Sequence, residues 1–395
     1  MLIIREATAG RQKKGDIHIT LRPFEERTLH LKSTIGKLYG KKIEQEISAE
    51  LDRLGVIGVA VKAIDDGALS YVISARVEAA VIAASDDIAP FKKADDNHSF
   101  DPDRLRRSRL YIPGNNPNLF VNVACFGGDM LLFDLEDSVT PSEKQATRYL
   151  VRNLILENRF RDSEVAVRIN QLSGPFGMKD LEVIVPAGPA IIVLPKAESA
   201  EDVEALTSKI QEIQSEVNTR HKIAIMPIIE SALGVVKAPE IASVNGVIML
   251  AFGAEDFTKD IGAERTREGK EHFFARCSVV CAAKAYGRLA SDTVFSDFGD
   301  VEGLIASTEE GKSLGFDGRG MIHPSQVEPV HKIYTPSEQE ILFSIKAILA
   351  AQKAEEEGSG VVAIGNKMID APIIARARRI ISIANKLGLK LPEIE

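Results

Sequence analysis

Eight short apolar runs, separated by stretches of helical periodicity, constrain this chain more than any other feature. They lie at Arg109–Ile112, Met130–Leu135, Val165–Ile169, Ala190–Leu194, Ile223–Ile229, Val247–Phe252, Asp292–Phe295 and Gly318–Ile322. Most are rich in β-branched residues and show no polar alternation, as expected of strands buried on both faces of a parallel sheet. Helix-patterned segments stand between them, among them Ser142–Leu156, Ala200–Val217, Glu271–Tyr286 and Asp300–Leu314. Eight strands with eight helical returns in a little over 200 residues is the count for an α/β protein of the (β/α)8 TIM-barrel class. A doubly wound open sheet is the alternative, but no Gly-x-Gly-x-x-Gly turn follows any of these runs.

Chemistry in such barrels sits at the carboxyl ends of the strands. The fifth run ends in Glu230 and the sixth in Glu255-Asp256. Neighbouring strands would bring Glu230 and Asp256 to one rim, where two carboxylates repel unless a proton or cation lies between them. A divalent, oxygen-preferring ion is therefore expected, and Mg2+ needs few protein ligands because it keeps several waters. Arg107 precedes the first run and Arg168 ends the third; guanidinium groups there suit a carboxylate, which they grip bidentately. The second run ends in Asp134-Leu135-Glu136-Asp137 and the fourth in Pro195-Lys196. Lys196 is expected to hold a ligand carboxylate or Glu198, with Schiff-base chemistry as the alternative. His323, before Pro324, is expected to be structural. Together these groups fit an anionic, chelating 2-oxo or 2-hydroxy acid, with a metal polarising its oxygen and favouring a carbon–carbon bond change beside it.

The remainder of the chain narrows the class. A net charge of -8 argues against a nucleic-acid partner. No apolar run reaches membrane-spanning length, and Arg5 and Glu6 interrupt the amino terminus too soon for a signal peptide. Cys125, Cys277 and Cys281 form no disulfide framework and read as buried packing in a reducing compartment, so the expected location is cytoplasmic. Residues 1–84 read as a small α+β unit. It has strands at Asp16–Leu21 and Val56–Ile64 and a helix starting near Ser33-Thr34 with Ile35, Leu38, Ile43, Ile47 and Leu51 in phase. Ala68–Ala84 reads as strand turning into helix. Residues 85–106 are polar and carry Pro90 and Pro102, as a linker would.

The segments Arg106-Arg107-Ser108, Pro113-Gly114, Phe133–Val139, Val167–Asn170, Leu194–Lys196, Ile229–Ser231, Gly253–Asp256, His323–Gln326 and Lys367–Asp370, in that order, resemble the citrate lyase β subunit and the malyl-CoA and citramalyl-CoA lyases of the HpcH/HpaI aldolase superfamily. The resemblance implies a barrel over 107–335 and a C-terminal helical extension over 336–395. It also implies a Mg2+-dependent cleavage of a 3-hydroxyacyl-CoA thioester into acetyl-CoA and a 2-oxo acid. By position, Glu230 and Asp256 resemble the metal ligands, and Arg107 and Arg168 the carboxylate-binding groups. Glu136, Asp137 and Lys196 resemble groups that orient these. Asp370 resembles a catalytic aspartate that relatives deliver from a neighbouring subunit, which implies a homo-oligomer, trimer or hexamer, with shared sites. Read without that likeness, Asp370 is a helix N-cap.

Residues 1–84 resemble the acyl-carrier γ subunit of citrate lyase through Ala7–Gly10, Gly15-Asp16, Asp65–Leu69 and Ala75–Ala79. The carrier attaches its prosthetic group to a serine, but this chain has Lys13-Lys14 there and no hydroxyl between Arg11 and Asp16. A carrier fold without cargo is implied. The alternative function is a non-autonomous subunit or scaffold of a citrate lyase-like complex.

Overall fold

The computed structural model of the chain describes residues 1–87, 92–94, 100–157, 160, 162–356, 362–364 and 367–392. The amino-terminal unit is a four-stranded sheet of β1 (Ala7–Ala9), β2 (Ile17–Arg22), β3 (Arg27–Ser33) and β4 (Val59–Asp65), in the order β1-β2-β4-β3. Only β3 and β4 run parallel. Two helices accompany it, α1 (Gly36–Arg53) and α2 (Ser70–Ala84). β3 is not visible as a run in the sequence because only Leu29 and Leu31 alternate along it and every residue keeps some exposure. The segment expected to change from strand to helix is helical throughout α2. Its apolar residues wrap the whole circumference because α2 is packed both by the sheet and by a barrel helix.

Eight parallel strands close the barrel: β5 (Ser108–Pro113), β6 (Met130–Asp134), β7 (Glu164–Arg168), β8 (Ile191–Leu194), β9 (Ala224–Ile229), β10 (Met249–Phe252), β11 (Leu289–Asp292) and β12 (Gly318–Met321). β12 pairs with β5 to complete the ring. The helices between them are α3 (Lys144–Leu156), α4 (Gly177–Ile184), α5 (Ala200–Glu216), α6 (Ala232–Ser243), α7 (Ala254–Asp260), α8 (Lys270–Ala285), α9 (Val301–Leu314) and α10 (Val327–Tyr334). Inward-facing residues such as Met130, Leu132, Val193, Met226 and Ile228 form the barrel interior, while alternate residues pack against the helices. A C-terminal extension follows, with α11 (Glu338–Glu356), the hairpin β13 (Val362–Ile364) and β14 (Lys367–Ile369), and α12 (Ala371–Lys386) packed on α11.

Two barrel expectations need correction. The seventh strand is Leu289–Asp292, three residues before the apolar cluster that suggested it, because Met249 and Leu250 pair with Leu289 and Ala290. The first return is no α-helix: Pro117–Leu119 and Val123–Phe126 are short 3-10 turns. Asn122, with a left-handed φ of 62°, stands between the two turns and prevents them from joining into one helix.

The amino-terminal unit is fastened to the barrel flank. Glu78 of α2 is fully buried and accepts two bonds from Arg152 of α3 at 2.9 and 2.6 Å, with Arg53 at 2.9 Å and Lys92 at 3.3 Å beside it. Arg76 pairs with Asp16 at 2.9 Å, and Arg11 pairs with Glu143, which also accepts from Asn115. Part of the expected linker is likewise docked, since Lys92 joins the Glu78 cluster and the Ala94 N–H donates to the Pro186 carbonyl. The cysteines do not fill the core as expected: Cys125 and Cys281 are exposed and Cys277 half-buried, because the faces of their elements that point inward carry other residues. Among the described residues, no helix is long and apolar enough to cross a membrane.

Candidate active site at the carboxyl rim of the barrel

Glu230 is the first residue past β9, and Asp256 lies in the opening turn of α7, which leaves β10 through Gly253. The pairing of Phe252 with Ile229 sets Gly253 beside Glu230, and the Gly253 N–H donates to the Ile229 carbonyl at 3.0 Å. The approach is close: a Cβ at Gly253 would stand 2.6 Å from Glu230 Oε2. Both carboxylates line a cavity of about 450 Å3 that Tyr111, Asp134, Asp137 and Arg168 also border. A wider cavity of about 810 Å3 adjoins it, sharing Glu255 and Thr293 and running outward past Arg265, Arg267 and His272.

Glu230 is 5 % exposed, and burial pushes its carboxyl up to about 8, reinforced by the nearby charges of Glu136 and Asp256. One bond opposes this, from the Lys196 N–H to Glu230 Oε1 at 2.7 Å. Lys196 holds a φ of 49°, a left-handed conformation uncommon outside glycine, and that conformation accompanies the bond to Glu230. Asp256 makes no hydrogen bond or ion pair among the described residues. The described residues contain no cluster of three or more metal-ligating side chains. The donor set is thus two convergent carboxylates, one desolvated and one without a partner. That suits an ion that accepts two protein oxygens and fills its remaining positions with water or substrate.

Arg168 anchors the opposite wall. Its register partner across β6 and β7 is Asp134, and the two form a bidentate pair at 2.7 and 2.9 Å. Burial alone would raise Asp134, but Arg168 outweighs it and holds this carboxyl below its ordinary range; the guanidinium is raised in turn. Glu136 lies 2.8 Å from Arg168 Nη1 and 3.1 Å from Lys196 Nζ, yet burial leaves it raised overall. Asp137 is more exposed, 3.5 Å from Arg168. Lys196 therefore holds Glu136 rather than Glu198, and that pairing raises it against the pull of burial. A lysine so charged is no Schiff-base nucleophile without a large change.

The structure brings together Glu230, Asp256, Arg168, Glu136, Asp137 and Lys196. It does not bring Arg107, whose expected place on the rim is corrected. Arg107 precedes β5 at the amino end of the barrel, where it pairs bidentately with Asp129 at 2.9 and 2.8 Å and reaches Thr335. Asp370 also lies outside the cavity. It caps α12 by accepting the Ile373 N–H at 3.2 Å, and α12 is tied by Arg379 to Asp317 and by Lys386 to the Asp103 carbonyl, both at the amino end of the barrel. His323 is structural, capping the turn at Pro324 and stacking on Phe298 at 4.9 Å. Sequence reasoning placed Asp134 at the rim without its pairing to Arg168, and missed Arg109, Tyr111 and Gly253. Strand parity signals the first two of these three, since Arg109, Tyr111 and Pro113 alternate with the outward-packed Leu110 and Ile112.

A family model described as HpcH/HpaI aldolase/citrate lyase matches residues 107–324, and one described as malonate decarboxylase delta subunit (MdcD) matches residues 4–84. Citrate lyase subunit beta of Leuconostoc mesenteroides subsp. cremoris is 41% identical over 288 residues, covering 72% of this chain and 94% of the relative. Mitochondrial citramalyl-CoA lyase of Homo sapiens is 28% identical over 305 residues, covering 74% and 89%. Among solved structures, CitE from Mycobacterium tuberculosis in complex with magnesium, acetoacetate and coenzyme A aligns with a TM-score of 0.60 at 29% identity, covering 72% of this chain and 99% of that one. The citrate lyase beta subunit of the same organism complexed with oxaloacetate and magnesium aligns at 0.52 and 31%, covering 60% and 99%.

Proposed function

The chain belongs to the HpcH/HpaI aldolase/citrate lyase family and is a lyase, and from that membership we propose that it cleaves a 3-hydroxyacyl-CoA thioester of the citryl, malyl or citramalyl type into acetyl-CoA and a 2-oxo acid, reversibly, in the cytoplasm. The observation that carries this reading is the convergence of Glu230 and Asp256 in one cavity, with Glu230 buried and raised to about 8. Mg2+ is the cofactor, and Glu230 and Asp256 would hold it. When bound, it supplies Lewis-acid polarisation of the oxygen that becomes the ketone.

The chain's own residues then have separable tasks. Arg168, its plane fixed by Asp134, holds the substrate carboxylate through its Nη1 edge. Glu136, raised by burial and not assigned to the metal, is placed to take the hydroxyl proton as the carbon–carbon bond breaks. Lys196 keeps Glu136 oriented through Nζ and Glu230 through its backbone N–H. The wider adjoining cavity gives the CoA portion room beside the reacting atoms. The thioester enolate is protonated by Asp370 of a second copy, since each chain ties its own α12 to the amino end of its barrel; the active unit is then a homo-oligomer, a trimer or hexamer.

Incubation with citryl-CoA, malyl-CoA and citramalyl-CoA, in Mg2+ and in EDTA, tests this. Metal-dependent release of acetyl-CoA from one of them is expected, and its absence for all three removes the reading. The match of residues 4–84 to an acyl-carrier-type subunit favours a second reading, a scaffold that works only inside a larger complex. Turnover of free thioesters by the isolated chain rules that out.

A further inference from the structure

The turn from Gly10 to Asp16 in the amino-terminal unit is fastened to the carboxyl rim of the barrel. Gly10 closes it with a φ of 84°, and a Cβ there would stand 1.9 Å from the Ile17 carbonyl oxygen. Asp16 is buried, held by Arg76 of α2 through two bonds of 2.9 Å, and accepts the Arg11 N–H at 3.2 Å. From that turn the Arg11 guanidinium grips both carboxylate oxygens of Glu143. The same carboxylate accepts from Asn115 Nδ2 at 2.9 Å, in the loop after β5, and from the Thr140 hydroxyl at 3.1 Å, in the loop after β6. The Arg11 bonds hold Glu143 below its ordinary range against a smaller effect of burial. One side chain thus joins three segments. Gly15 seats the turn more closely still, since a Cβ there would meet Asn118 at 3.4 Å.

Glu143 immediately precedes α3, whose first residue, Lys144, is buried and donates to the Leu135 carbonyl at 3.0 Å, the Glu136 carbonyl at 2.8 Å and Asn170 Oδ1 at 2.6 Å. That short loop carries the Glu136 carboxylate to Arg168 and Lys196 and sets Asp137 on the rim cavity. Further along α3, Arg76 reaches the Ala146 carbonyl at 3.5 Å and Glu78 holds Arg152. Resting on the lyase reading above for the task of Glu136, we propose that the amino-terminal unit is a fixed part of the catalytic rim, with Arg11 a positioning residue that acts through Glu143 and Lys144 on the loop bearing Glu136. Delivery of a tethered group requires a unit free to move, whereas this one is tied at both Glu143 and Glu78. A partly exposed ion pair by itself adds little. Arg11 matters through its bidentate grip and through the place of Glu143 between two rim loops, because a small shift of a proton-transferring group is costly in rate. Glu230 and Asp256 make no hydrogen bond with these segments among the described residues, so metal binding stays outside the effect.

The test compares the full-length wild type with Arg11→Met, Arg11→Lys, Glu143→Gln and the double variant Arg11→Met/Glu143→Gln. It reads kcat for the active thioester, the Mg2+ midpoint and amide hydrogen exchange over residues 135–143. Arg11→Met should lower kcat by about 10-fold, leave the Mg2+ midpoint within about twofold, and speed exchange over 135–143 by about fivefold. Arg11→Lys should restore part of both, since it keeps the charge and loses the fork. The double variant should match Arg11→Met alone, because Arg11 acts through Glu143. Unchanged kcat, unchanged exchange over 135–143, additive losses in the double variant, or faster exchange throughout the chain with a Mg2+ midpoint that weakens in step overturns the proposal. A wild type that cleaves no thioester removes the lyase reading instead. Exchange then decides alone: acceleration confined to 135–143 keeps Arg11 as the group that positions this loop, and its absence removes that role.

Discussion

Gly253→Ala isolates the geometry on which the proposed metal binding by Glu230 depends, because it adds one methyl group and removes no functional atom. The new Cβ would lie 2.6 Å from Glu230 Oε2, 2.8 Å from Glu230 Cβ and 3.2 Å from Ile228 Cγ2, where ordinary contact begins at 3.4 Å. Gly253 has φ -112° and ψ 96°, which alanine adopts freely, so backbone strain contributes nothing. Glu230 cannot retreat along its own side chain, since its Cβ is crowded as well. The carboxylate must therefore swing by roughly 0.8 Å, a displacement that costs on the order of 100-fold where reacting groups are positioned this tightly. Overpacking costs about 1–3 kcal/mol of stability, too little to unfold a domain of ordinary stability. The assay is kcat/KM for the active thioester across a Mg2+ titration, with the melting temperature recorded alongside. A weakened Mg2+ midpoint and a fall in kcat/KM of about 10–100-fold are expected. Wild-type kinetics at an unchanged Mg2+ midpoint would refute the placement of Glu230 as a ligand.

Arg168→Ala and Arg107→Ala should behave oppositely: the first lowers kcat/KM by more than about 100-fold, while the second leaves kinetics intact and destabilises the fold by about 1–3 kcal/mol by stranding Asp129. Glu78→Gln leaves Arg152, Arg53 and Lys92 facing one another in the interface between the amino-terminal unit and the barrel; chemical denaturation should show a loss of about 3–5 kcal/mol, and an unchanged curve would contradict the docked arrangement. Glu271, in the first turn of α8, experiences burial that would raise it, but the Thr266 N–H and hydroxyl bring it down to about 2 from 4.5. A carboxyl lowered in the folded state stabilises above its unfolded value and loses that contribution as pH falls through its folded one. Glu271→Gln should therefore cost about 1–2 kcal/mol at pH 7, with the gap to the wild type closing between pH 4.5 and 2 in thermal melts.

The alternation of eight apolar runs with helical segments determined the barrel by itself, because strands buried on both faces leave an unbroken hydrophobic signal whatever their neighbours are. Glu230 and Asp256 were legible for the same reason: each ends such a run, and consecutive runs in a barrel are neighbours. Arg107 misled because its likeness to a family motif was followed against its place before the first run, which in a parallel barrel is the amino end. There it pairs with Asp129. Asp134 and Gly253 were beyond local pattern, since one matters through its register with Arg168 and the other through a 2.6 Å approach across two strands. Likewise α2 lost its periodicity because a surface of the barrel covers its second face, a fact written in no stretch of the helix itself. Whether a buried charge has a partner is a property of distances in space, so only the folded chain distinguishes Arg109, without an acidic partner among the described residues, from Arg168, held by Asp134.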